Sequence, residues 1–358
     1  MNSTQDLSLD QATKSRWQRL APIFTLIVLA PGIAEVLSGA TRMSVIFVLV
    51  PEMMVWGCGA LLIREAVRRW NGGWTSMLLM GLGLSIAEEF IIQQTSVAPL
   101  PFPGVNAAYG RIGGVNVVWL LYFLVYESVL VVLVPVQVSE LIYWKRRERP
   151  WLRTSGMVIS SVTFVLGSVL AWFLWIRIVR PKVFHVPYYR VPMTATLCGL
   201  GMIILCVLAA YGARNVGKAD AATVRKGSVV PPWVIFLVAL VFFVPWYALM
   251  ALIFGPARDL AVWIPLAAGT AGALLAFAVI RALAAAPGWG DMHRWALCFG
   301  ATLVSMAGGF LGSSWWPRVD IVGKAILNVL AVIGFILLAQ KIGLRRGMQK
   351  SAAGYARW

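Results

Sequence analysis

Apolar runs of about 20 residues, separated by short polar or basic links, recur along the chain. This pattern predicts ten membrane-spanning helices, at residues 21–39, 44–63, 74–94, 115–142, 155–176, 192–212, 231–254, 261–283, 295–312 and 321–340. A polar tail, 1–20, precedes them and a basic tail, 341–358, follows. The longest irregular connection is the stretch 95–113, which carries Pro99, Pro101 and Pro103. The expected fold is an all-α polytopic transmembrane helical bundle.

Composition agrees. Apolar residues make up 60% of the 358 positions and charged residues only 13%, too few for an ordinary soluble domain. The formal net charge of +17 does not signal a nucleic-acid partner, because the cations are spread over short loops between apolar runs. Of the 31 Lys and Arg residues, 22 fall on the side of the membrane that holds both tails. The positive-inside rule then places both termini in the cytoplasm of a prokaryotic plasma membrane. Many of the 17 tryptophans sit at span ends, as an interfacial belt requires. Cys58, Cys198, Cys206 and Cys298 lie in or beside apolar runs without metal-type spacing, and read as small hydrophobes. His185 and His293 both fall in expected loops.

Acidic chemistry is distributed unevenly. All eight glutamates lie between residues 35 and 148. They divide the chain into a four-span acidic half, 21–150, and a six-span half, 151–340, with no glutamate. Glu35, Glu52, the adjacent pair Glu88 and Glu89, and Glu127 fall inside spans, where a carboxylate is costly and signals function. At about 1.5 Å per residue their heights above the cytoplasmic end are roughly 20, 18, 21 and 13 Å for spans one to four, so four helices bring acids to one level. Gly81, Ser85, Glu89 and Gln93 form a small polar stripe on one face of the third span. Arg64 and Glu65, at the end of the second span, read as a structural pair. Glu140 and Glu148 are expected in the interface or in water.

Two resemblances follow from these motifs. The segments AEVLSG (34–39), GALLIRE (59–65), AEEF (87–90) and YGRIGGVNVVW (109–119) resemble prokaryotic multi-pass membrane proteins of unassigned function. Glu88-Glu89 followed by Gln93 is similar to the EExxxR motif of CPBP intramembrane endopeptidases, the CAAX-protease and bacteriocin-processing family. Phe123 and Glu127 are similar in spacing to that family's FxxxH motif. Gln93 stands where that family has arginine, and Glu127 where it has histidine. The resemblance implies water activation by Glu88 as base, with Glu89 and Glu127 beside it.

Three functions stay open. One is a CPBP-like intramembrane hydrolase with Glu88, Glu89 and Glu127 as its catalytic set, acting on a membrane peptide. The second is a proton- or cation-coupled carrier in which Glu35, Glu52 and Gln93 hold a substrate or small cation. The third is an assembly subunit whose acids only fix helix packing. No HExxH, zinc-ligand spacing, nucleophile elbow, Walker loop or dinucleotide fingerprint occurs, so the sequence names no cofactor. The lipid bilayer is the one partner the pattern requires.

Overall fold

The computed structural model describes residues 16–102, 106, 108–216, 230–254, 260–311, 313 and 316–355. Most of the 1–20 tail, Pro103 in the long connection, and the end of the 341–358 tail lie outside the described residues.

Among the described residues the chain is a bundle of ten long helices with almost no strand. They are α1 (Trp17–Val36), α2 (Met43–Arg69), α3 (Trp74–Ile92), α4 (Val117–Ile142), α5 (Thr154–Val183), α6 (Met193–Asn215), α7 (Pro232–Leu252), α8 (Trp263–Ala284), α9 (Asp291–Gly308) and α10 (Arg318–Arg345). Among the described residues, nine are long and apolar enough to cross a membrane. The exception, α9, occupies the expected ninth span but carries Asp291, His293 and Arg294 in its first turn.

The helices differ in how deeply they sit. About 67% of the apolar stretch of α3 is buried, against 6% for α8 and 11% for α5 and α6. Helices α1 to α4 supply most of the core, closed by α7, α9 and α10. Leucine, valine and phenylalanine side chains cover the exposed faces of α5, α6 and α8, as lipid contact demands. Small residues permit the closest approaches. Pro31 has no N–H for the Ile27 carbonyl, and α2 packs on that carbonyl at Gly57, where any Cβ would collide with it.

Irregular pieces close both ends. Beyond α3, a two-residue hairpin pairs β1 (Arg111–Ile112) with β2 (Val115–Asn116), in the register Arg111↔Asn116 and Ile112↔Val115. Gly113 and Gly114, with φ of 59° and 85°, make the turn, a backbone that glycine adopts without strain. At the opposite, basic end, Arg64 is fully buried and stacks 3.4 Å from the Trp151 ring centre. It donates to Glu65 (2.7 Å), Glu140 (3.1 Å) and the carbonyls of Arg147 (2.8 Å) and Arg149 (3.2 Å). Glu65 also accepts from the backbone N–H groups of Trp151 and Leu152.

Three expectations change. Glu140 is not in water: it is 1% exposed and held between Arg64 and Arg68, while Glu148 is exposed. The fifth span does not end at 176 but winds on to Val183. Its Arg180 is buried and donates to the Pro99 carbonyl at 2.9 Å, which ties α5 to the long connection. His293 is not in a loop. It is buried in the first turn of α9, accepts from the Gly290 N–H at 3.0 Å, and lies 2.8 Å from the Val230 carbonyl.

Candidate functional site

The acidic residues share a local backbone feature. Each of the four acidic helices contains a π-helical turn at its glutamate: Gly32–Val36 includes Glu35, Met53–Gly57 directly follows Glu52, Glu88–Ile92 begins with the acid pair, and Glu127–Leu133 begins with Glu127. The wide turns are visible in the hydrogen bonds from Leu37 N to Gly32 O and from Gln93 N to Glu88 O, both 2.9 Å. Such turns insert an extra residue, interrupt the regular ladder and concentrate at functional sites. Pro31 and Pro51, just upstream of two of them, favour the interruption by withholding an N–H.

The five carboxylates come within range of one another's charge. Glu35 interacts with Glu52, Glu88 with Glu89, Glu35 and Glu52, and Glu127 with Glu89, Glu88 and Glu35. Four are almost wholly buried, and only Glu35 keeps a partly accessible surface. Among the described residues none of the five enters an ion pair; the salt bridges lie at the basic end. Among the same residues, no three His, Cys, Asp or Glu side chains are grouped closely enough to hold a metal ion.

Their hydrogen bonding is unequal. Glu89 accepts from Thr95 Oγ1 at 2.7 Å and Ser96 Oγ at 2.5 Å, so the first residues of the long connection fold back onto it. Glu52 accepts from Thr41 Oγ1 through one oxygen, and its other oxygen has no partner. Glu127 lies beside Ser85, with one oxygen unpartnered. Glu88 is the extreme case: both oxygens are buried and neither has a hydrogen-bond partner. The Gly81–Ser85–Glu89 face packs closely, a Cβ at Gly81 falling 2.9 Å from the Ser128 Cα of α4. Gln93 sits just past the end of α3, half-buried, and Glu89 takes its hydrogen bonds from Thr95 and Ser96 instead.

Residues 24–353 match an uncharacterized membrane protein family. The chain belongs to that family. No curated protein and no solved structure matches it. Membership establishes a membrane protein over nearly the whole length and brings no activity with it.

In this family member the second half of the chain also reaches the acids. Tyr122 and Tyr126 of α4 stack at 5.5 Å, and Tyr247 of α7 meets Tyr122 edge-on at 6.0 Å. All three tyrosines lie within range of the Glu35 charge, and Ser305 of α9 lies near Tyr247. The Tyr126 hydroxyl donates to the Ala34 carbonyl, next to Glu35. Lys324 of α10 is buried and donates to the carbonyls of Leu37 and Met306 at 2.7 and 2.8 Å. Asp320, one turn earlier, accepts from the Ser44 N–H and hydroxyl, which holds α10 against the start of α2. Reading the sequence for glutamates missed these residues. The signal available was a lysine and an aspartate inside or beside an apolar run otherwise free of charge.

Proposed function

We propose that this protein is a proton-coupled membrane carrier whose relay is the set Glu35, Glu52, Glu88, Glu89 and Glu127. The observation that carries the reading is Glu88: a carboxylate buried in a membrane protein, without a hydrogen bond, amid four others. Such a group is stable only with a proton, a water molecule or a cation on it. Chains of carboxylates that pass a proton are a recurrent device of pumps and transporters. Glu35, the acid of the five with the most accessible surface, is the entry to the chain, and Glu52, Glu88, Glu89 and Glu127 carry the relay on. Gln93 and the π-turn carbonyls are the additional groups that bind a small cation or polar substrate. The charge bias supports a plasma-membrane orientation with both tails in the cytoplasm, so the connection bonded to Glu89 faces outward and the Arg64 ion pairs face inward.

A pure packing role predicts that every acid finds a hydroxyl or amide, and Glu88 does not. The hydrolase reading keeps one specific support: Glu89 is fixed by two hydroxyls while adjacent Glu88 is uncommitted, as a base awaiting water would be. One experiment separates them. Purified protein is reconstituted into liposomes loaded with a pH dye, a proton gradient is imposed, and Na⁺, K⁺, Mg²⁺ and Ca²⁺ are offered in turn. Membrane-peptide cleavage is followed on the same preparations. The carrier reading expects cation-dependent collapse of the gradient that Glu88→Gln abolishes. Cleavage lost in Glu88→Gln without any flux replaces it with the hydrolase, and flux equal in Glu88→Gln and wild type overturns it.

A further inference from the structure

A second site lies across α3 and α4 from the acids. Between α3, α4, α7, α8 and α9 runs a crevice of about 1350 Å³ that none of the five glutamates lines. Its walls are apolar, from Leu78 and Leu82 of α3 and Val129 of α4 to Phe243 of α7. Pockets for soluble small molecules run to about 1,000 Å³. This one exceeds that and is long rather than round, spanning much of α8. The wall formed by α8 is the least buried of the spanning helices. It touches α4 and α7, and Phe277 meets Trp74 at 5.4 Å.

The charge of the crevice is confined to one end. Arg68, Arg214, Arg281 and Arg294 rim it there; among the described lining residues Glu148 is the only acid, with Glu140 and Asp291 behind Arg68 and Arg294. Arg68 is committed to Glu140, and Arg214 lies over the Tyr211 ring at 4.0 Å. An apolar slot within the hydrocarbon layer, closed at one end by arginines at interface level, matches one chemistry: an amphiphile with an anionic head and acyl or prenyl chains. We infer that the crevice binds a lipid whose phosphate headgroup carries a net negative charge, its chains between α4 and α8 and its phosphate among Arg214, Arg281 and Arg294.

The wall offers a clean test. A Cβ at Gly272, which lines the crevice, meets nothing within 4 Å, so a side chain added there starts into open space on the slot wall. Full-length protein in detergent is incubated with dioleoyl phosphatidylglycerol or dioleoyl phosphatidylcholine, and retained lipid is read by native mass spectrometry. The expected result is one tightly retained phosphatidylglycerol. Retention falls roughly fivefold for each arginine removed in Arg214→Gln and Arg294→Gln, the scale of one interfacial cation on an anionic lipid. Gly272→Trp abolishes retention while the thermal midpoint stays at the wild-type value. Equal retention of the two lipids overturns the anionic assignment. Retention unchanged in Gly272→Trp overturns the site itself. If Gly272→Trp lowers the thermal midpoint, Ala268→Phe on the same wall replaces it under the same two criteria.

Discussion

The same substitution, Glu to Gln, should have opposite effects at the two ends of this bundle. Glu65 accepts from the Arg64 guanidinium and from the Trp151 and Leu152 N–H groups, at 2.7 to 3.0 Å, with no exposure at all. Glutamine keeps the shape but removes the charge and turns a donor toward backbone N–H groups. Arg64 is then a buried cation balanced by Glu140 alone, which Arg68 already occupies. Breaking one partner of a buried pair costs about 3–5 kcal/mol, roughly two to four powers of ten in the folded population. Glu88 has no hydrogen bond to lose and sits in the charge range of Glu35, Glu52 and Glu89. Removing its charge relieves at most about 2 kcal/mol for an ionised neighbour ~8 Å away at an effective dielectric near 20. Glu88→Gln should therefore lie between no change and ~2 kcal/mol more stable. Unfolding free energies from SDS titration in mixed micelles check both values. If Glu88→Gln costs as much as Glu65→Gln, then Glu88 is a structural residue and the relay built on it is wrong.

Two further outcomes test the geometry around the acids. Thr95→Val with Ser96→Ala removes both donors to Glu89 and should cost about 1.5–3 kcal/mol per bond, the range for hydrogen bonds to charged groups. Hydrogen exchange should then show faster exchange in the described part of the 95–113 connection, and unchanged protection there would refute the tie. Gly57→Ala drives a methyl into the Ile27 carbonyl and should destabilise by about 1–3 kcal/mol. Gly32→Ala, whose Cβ meets nothing within 4 Å, should stabilise by about 0.5–1 kcal/mol, and thermal melts in detergent compare the two.

Hydropathy placed the spanning helices well because lipid contact is a property of composition. The third span was expected at 74–94 and runs Trp74–Ile92; the fourth was expected at 115–142 and runs Val117–Ile142. Depth counted along straight helices puts Glu35, Glu52, Glu88 and Glu127 at one level, because the rise per residue is a property of the helix and not of its partners. What could not be read depends on partners far along the chain. Glu140 looked solvated because its neutralising arginines come from α2, more than 70 residues earlier. Arg180 looked like a loop cation because its acceptor, Pro99 O, is 81 residues away. The second half looked inert because Tyr247, Ser305 and Lys324 carry their chemistry on side chains that a search for carboxylates passes over.

The wide turns at the glutamates have a consequence for descent. Each holds one residue more than a regular turn, and one residue is about 100° of helical phase. Everything on one side of the turn is thus rotated relative to everything on the other. A relative lacking that single residue would align with a one-position gap and keep the same hydropathy, yet aim its acid elsewhere. In-frame gain or loss of one codon at residues 32–36, 53–57, 88–92 or 127–133 is therefore a short evolutionary step between an inward-facing acid and a misdirected one. Alignments of related chains should be inspected for single gaps at those four places before their glutamates are equated.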